Sequence, residues 1–233
     1  MKISDERIEQ LNQDIEDIIC QYRDVPSTKL AEMFRVNMGA KNAFSALAYK
    51  MVENSGSLVL TQLLSDDDFR FKTVRLDKYG RLKESMSLPV FRYNDIVDET
   101  WETSELRNYF HQKIFAFMVF RAEGKELFLN KIILWKMPER VLESSVCEVW
   151  KRMHDLLKQG LVVKYIDDNG RYFTYFPSSA ENPYVHVRPH AQNRQDTLPL
   201  PVADKLTGLV QYPKHSFWLN RAYILKIITK EEK

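Results

Sequence analysis

The stretch from Val185 to Arg194 carries Arg188, Arg194, His186 and His190 and no carboxylate. Such an acid-free run fits a positive patch on one face of the molecule, the electrostatic footprint of a nucleic-acid contact. Ser27 to Val36, with Leu30-Ala31-Glu32-Met33, resembles one helix of a helix-turn-helix, with a second helix from Asn42 after a Gly39 turn. Cys20 and Cys147 lie inside helical apolar patterns, so both are expected to be reduced, buried thiols. No Cys/His spacing suggests zinc.

The elements that must position these groups follow from composition and periodicity. The chain has 233 residues, 44% hydrophobic and 28% charged, which is ordinary globular composition. A net charge of +2 does not by itself announce a nucleic-acid binder. Acids crowd the first twenty residues, which read as an acidic amphipathic helix rather than a signal peptide. No apolar run approaches the ~20 residues of a spanning helix, so a cytoplasmic protein without a membrane partner is expected.

Ile8, Leu11, Ile15, Ile18, Ile19 and Tyr22 recur at helical spacing, with Ser4 as N-cap and Pro26 as stop. Further helices are expected at Ser27 or Thr28 and from Asn42 to Val52. Phe69 to Leu76 reads as a strand, Asp77-Lys78-Tyr79-Gly80 as a turn, and Leu82 to Phe91 as its returning partner. Trp101 to His111 is a helix candidate. Ile114–Phe120 and Leu127–Trp135 read as central strands, and Pro138 starts a long helix that Gly160 ends. Asp167-Asp168-Asn169-Gly170 is a hairpin turn. Phe217 to Ile228 ends in a short helix. The expected fold class is mixed α/β (α+β), a central mixed sheet flanked by helices. The expected organisation is a single domain over residues 1–233, helical over about 1–55 and sheet-containing over about 56–233.

Several segments, in order, resemble the MutH-like family of GATC endonucleases. They are Phe71-Lys72-Thr73-Val74, Gly80-Arg81, Lys83-Glu84-Ser85, Thr100-Trp101-Glu102-Thr103-Ser104, Leu134-Trp135 and Glu148-Val149-Trp150. The most specific are Val185-His186-Val187-Arg188-Pro189-His190-Ala191-Gln192-Asn193 and Phe217-Trp218-Leu219-Asn220-Arg221. The runs Arg188 to Ala191, Asp196 to Pro201 and Phe217 to Asn220 are closer to the C-terminal domain of Sau-type GATC type II restriction endonucleases than to MutH. The resemblance implies a MutH-like restriction-endonuclease fold. It also implies double-stranded DNA containing GATC as partner.

Active members of that family cut phosphodiesters with Mg²⁺, held by an upstream acid and a Glu-x-Lys. Lys72 matches the family lysine. Arg70 stands at the glutamate position, and its guanidinium, always charged, repels a divalent cation. The upstream acid position falls on Leu63 and a further helix acid near Tyr49. Asp66, Asp67 and Asp68 could be displaced replacements, although such a run before a strand also serves as a solvated turn.

The resemblance therefore points to a catalytically silent effector domain, with no cofactor of its own. Mg²⁺ would belong to a MutH-like catalytic domain in the same full-length chain, and dimerisation on DNA is open. Arg188 is expected to read guanine O6 and N7, with Pro189 stiffening the loop. His190, where the family has a lysine, would attract phosphate weakly and with pH dependence. Trp218 would pack on DNA or fill the core, while Trp101 and Trp135 are expected core residues. Lys83, Ser85, Ser87, Arg221 and Lys41 are further DNA-contact candidates. Val185–Arg188 also reads as an ordinary edge strand. Two other functions remain open: an active Mg²⁺-dependent GATC endonuclease using Asp66–Asp68, and a helix-turn-helix regulator with its contacts near the N-terminus.

Overall fold

The computed structural model describes residues 5–229. The first part of the chain is α1 (Asp5–Tyr22), α2 (Ser27–Met33), α3 (Ala43–Glu53), α4 (Leu58–Leu64), β1 (Phe69–Leu76), β2 (Met86–Val90), α5 (Tyr93–Asp98) and α6 (Glu105–Gln112). There follow β3 (Ile114–Glu123), β4 (Glu126–Trp135), α7 (Glu139–Val141), a short π-helix (Leu142–Val146) and α8 (Cys147–Lys158). The rest is β5 (Val163–Ile166), β6 (Tyr172–Thr174), β7 (Val185–Pro189), β8 (Thr197–Pro199), β9 (Gln211–Pro213), β10 (His215–Leu219) and α9 (Arg221–Thr229). The class is mixed α/β, as the periodicities indicate. Among the described residues, no helix is long and apolar enough to cross a membrane. The Ser4 cap lies outside the described residues.

The chain divides into two compact units, each discontinuous. One comprises residues 1–83, 112–136 and 227–233, the other 84–111 and 137–226. In the first, β1 runs parallel to β3 and β3 pairs antiparallel with β4, a small mixed sheet. Phe115 to Phe120 in the middle strand are fully buried. That is why this strand reads as a continuous apolar run instead of an alternating one. Leu11, Ile15, Ile18 and Ile19 of α1, Leu30 of α2, Leu47 and Met51 of α3, and Leu60 and Leu63 of α4 join Met118 and Phe120 in one apolar cluster. Cys147 is buried, but Cys20 is exposed. Cys20 follows the buried pair Ile18 and Ile19 on α1, and the helical turn carries it off the apolar stripe.

In the second unit, β10 is the central strand of an antiparallel sheet ordered β2-β10-β7. The expected hairpin between Phe69–Leu76 and Leu82–Phe91 is thereby corrected. After the Gly80 turn the two segments share a single bridge, Leu76 to Leu82, and β2 pairs instead with β10. β1 meets its burial requirement through β3, so nothing holds the returning segment against it. The Trp101 helix also starts later than expected, at Glu105, because Trp101–Ser104 forms a hydrogen-bonded turn first. β5 and β6 close the hairpin around Asp167, whose Oδ1 accepts from Asn169 N and Arg171 N at 3.1 and 2.8 Å.

Gly160 ends α8 with φ +66°, and a Cβ there would stand 2.6 Å from the carbonyl oxygen of Ala203. Gly160→Ala is therefore expected to destabilise the chain by about 2–4 kcal/mol in chemical denaturation, from the left-handed backbone plus overpacking. Gly170→Ala is the control, with φ +72° and no atom within 4 Å of the new Cβ. It should lose only the conformational part, about 1–2 kcal/mol. Equal losses at the two sites would show that the Ala203 contact does not matter.

Candidate nucleic-acid interface

The second unit brings three of the expected contact residues, Ser87, Arg188 and Trp218, onto one sheet face, with His190 beside them. Alternate residues of a strand share a face. On β10, His215, Phe217 and Leu219 point into the core, so Ser216 and Trp218 lie on the opposite side. In register, Arg188 of β7 stands opposite Ser216, and His186 opposite Trp218. On the other flank, Ser87 of β2 stands opposite Trp218. The face thus reads Ser87, Trp218, His186 across the sheet, with Ser216 and Arg188 one step along it.

Trp218 is the centre of this face. The Arg188 guanidinium carbon sits over the indole, 4.9 Å from the ring centroid. The His190 ring approaches to 5.8 Å, and its Nδ1 lies 2.9 Å from the Ser216 hydroxyl. Trp218 is half-buried, and its Nε1–H is enclosed with no acceptor among the described residues. The indole therefore neither fills the core nor stands free in solvent. Arg188, Pro189 and His190 are all exposed, whereas Val185, His186 and Val187 are buried. β7 is indeed an edge strand, and its end emerges from the fold at the arginine. Pro189, lacking an N–H, is tolerated at such an edge.

Two polar anchors fix this segment. His186 Nδ1 bonds the Asn220 side-chain oxygen, and Asn220 Nδ2 donates to Asn182 O at 2.6 Å. Asn182 Oδ1 accepts from Tyr184 N and Val185 N at 2.9 and 3.1 Å. Burial lowers the His186 pKa and the nearby Arg188 charge adds to this, against the opposing Asn220 bond. The imidazole is held neutral. The second anchor is the 190–196 loop. His190 N and Ala191 N donate to Lys214 O at 2.8 and 3.1 Å, and Lys214 Nζ pairs with Asp196 at 2.5 Å. That pairing, with the Gln192 N–H, holds the Asp196 pKa down. The loop presents Gln192, Asn193 and Arg194 to solvent. Gln192 and Asn193 were not singled out from sequence as contacts, although the Asn193–Asp196 spacing is a turn signal: Asn193 Oδ1 accepts from Gln195 N and Asp196 N.

Ser85 lies beside this face, its hydroxyl accepting from Arg221 N at 3.1 Å. Arg221 is exposed at the start of α9. Lys41, Lys72 and Lys83 belong to the other compact unit, and Lys41 and Lys83 are exposed. Trp101 is buried, with Nε1 donating to Glu143 at 2.7 Å, and Trp135 is half-buried against Phe115 and Phe117. Trp101 therefore packs as a core residue, whereas Trp135 is only partly covered.

The segment around Lys72 has a different character. Arg70 folds back on its own turn, donating to Phe69 O at 2.9 Å and to Asp66 O at 3.4 Å. Its other amino group faces Asp67 at 3.5 Å, and Asp68 faces Lys113 at 3.6 Å. Leu63 is 3% exposed within the apolar cluster, and the Tyr49 ring lies against Phe71. Lys72 is half-buried, and burial, then the Arg70 charge, lowers its pKa. The residues present make a poor donor set for Mg²⁺: the positions that the resemblance assigns to acids hold Leu63, an apolar core side chain, and Arg70, a guanidinium, and Asp67 and Asp68 face cations. Among the described residues, no three His, Cys, Asp or Glu side chains converge as a metal site.

No family model matches the chain. Its sequence is nevertheless related to that of a restriction endonuclease. The relative is the type II restriction enzyme Sau3AI of Staphylococcus aureus, 27% identical over 269 aligned positions covering 96% of this chain and 55% of that enzyme. The chain thus spans about half the length of the curated relative it matches.

Proposed function

We propose that this chain reads GATC in double-stranded DNA as the non-catalytic effector half of a type II restriction endonuclease. The observation that carries the reading is the Arg70 segment. A cation and a buried leucine occupy the positions where the resemblance implies oxygen ligands, while Arg188 is present and exposed over Trp218. The partner is a MutH-like catalytic domain in the same full-length chain, in the cytoplasm, and Mg²⁺ serves that domain alone. Occupancy of the effector face then biases the catalytic half, and the coupling must be reciprocal. Dimerisation on DNA is compatible with this scheme.

The other readings are less well supported. An active centre built on Asp66–Asp68 would have to take aspartates away from Arg70 and Lys113. A helix-turn-helix needs a tight turn of three to four residues or so, but residues 34–42 separate α2 from α3. The first turn of α3, Ala43-Phe44-Ser45-Ala46, is also poor in polar groups, and Ala43 is buried.

The test is direct. Arg188→Ala is expected to weaken GATC duplex binding by about 1–3 kcal/mol and to leave a scrambled duplex unaffected at the same salt. Lys41→Ala should weaken both duplexes alike, as a phosphate contact does. The chain with Mg²⁺ should bind GATC duplex without cutting it. Cleavage lost on Lys72→Ala would refute the non-catalytic reading, and equal losses on both duplexes for Arg188→Ala would refute the base-reading role.

A further inference from the structure

We infer that Trp218 is a specificity-determining positioning residue. It holds the Arg188 guanidinium over its ring so that the N–H donors are presented for guanine, without itself contacting the base. The inference rests on the reading of Arg188 given above and adds the means by which that side chain is aimed. An exposed arginine is free to sample many rotamers, and a two-point contact to O6 and N7 tolerates few of them. Arg188 is exposed on an edge strand, and no carboxylate pairs with it among the described residues. What restrains it is the indole 4.9 Å away.

A guanidinium held over a ring by cation–π attraction spends no hydrogen-bond donor on that contact, so the same contact can persist in the free and bound states. The platform is itself rigid. Trp218 lies in the central strand between β2 and β7, with Ser87 and His186 opposite it. His190 closes the neighbouring side, tethered through Ser216. Burial and the Arg188 charge disfavour the protonated form of His186, against the opposing Asn220 bond, so it adds no competing charge beneath the arginine.

The experiment uses the full chain with three duplexes: GATC, GATC with 7-deazaguanine in place of guanine, and a scrambled sequence. Removing N7 deletes one of the two acceptors, and the wild-type chain should discriminate by about tenfold. Trp218→Leu and Trp218→Met, which delete the ring face, should each shrink that ratio by about threefold, the worth of an exposed cation–π contact. Affinity for scrambled DNA should stay constant. Trp218→Phe should keep most of the discrimination. In an Arg188→Ala background, Trp218→Leu should have no further effect on the ratio, because the two act as one unit. Full discrimination in both ring-deleted variants would overturn the inference, and so would a Trp218→Leu effect that adds undiminished to Arg188→Ala. A wild-type chain that binds GATC and scrambled DNA alike would instead remove the proposed function beneath it.

Discussion

Asp204→Ala is expected to cost about 3–5 kcal/mol, because it orphans two buried backbone donors at once. Asp204 is 1% exposed in the 200–210 loop. Its Oδ1 accepts from Val162 N and Val163 N, both at 2.9 Å, and its Oδ2 from Thr207 N at 2.9 Å and the Thr207 hydroxyl at 2.7 Å. Burial alone would raise this carboxyl's pKa, but the Thr207 hydroxyl and the three N–H donors outweigh it and the net direction is down. The charged form is thus the one the fold holds. Val162 and Val163 are 0% and 2% exposed, so water cannot replace the lost acceptor. Asp204→Asn keeps an acceptor for one pair of donors but turns an amide N–H₂ against the other, and should fall between wild type and alanine. Urea denaturation of the three proteins checks the order. A loss below about 1 kcal/mol for alanine, typical of a replaceable surface bond, would contradict the anchor role.

The second large effect is a loss of stability in mild acid through His215. The ring is 3% exposed, packed among Tyr93, Phe176 and Tyr212. Its Nδ1 lies 2.7 Å from Pro213 O and 2.9 Å from the Tyr93 hydroxyl, so the proton belongs on Nδ1 and points at the carbonyl. Burial lowers its pKa from 6.5 to about 4, against the opposing Pro213 bond. Between those two values the unfolded chain takes up a proton that the folded one refuses. The contribution is therefore complete above about pH 6.5, declines as pH falls, and is gone by about pH 4. The whole step amounts to roughly 3 kcal/mol. His186 acts in the same direction, which makes a raw pH curve ambiguous. The difference between wild type and His215→Asn isolates the His215 part, since asparagine can still donate to Pro213 O but does not titrate. That difference should narrow by about 3 kcal/mol from pH 7 to pH 4. A constant difference would place the proton-sensitive group elsewhere.

The parts of the fold that were legible in sequence are those whose partners are near in the chain. β3 and β4 show themselves as apolar runs because they are adjacent and turn at Gly124, and the Asp167–Gly170 hairpin carries its own turn chemistry. α8 is visible through the stripe from Val146 to Leu157, although the short π-helix before it is not. Leu58-Val59-Leu60-Thr61-Gln62-Leu63-Leu64 is apolar almost throughout and shows no clear period, so α4 escapes notice until its Ser57 cap is seen accepting from Leu60 N. α5 spans only Tyr93–Asp98, too short for a periodicity argument. β2 was misassigned because the local turn at Gly80 suggests one neighbour and tertiary packing supplies another.

For the candidate interface, residue types were legible and geometry was not. Arg188 stands out from its acid-free surroundings, but its place over Trp218 depends on the β7–β10 register, which no spacing within either segment encodes. Asp204 gave no signal, since one aspartate in a polar loop looks like any other.

The position of β10 has a consequence for biogenesis. Both outer strands of the reading sheet pair with it and neither pairs with the other. As the ribosome extends the chain, residues 86–90 and then 185–189 emerge with no strand to receive them until residues 215–219 follow. The ladder that carries Arg188 is thus completed only once residues 215–219 have been made, by a long-range closure of the kind that slows folding.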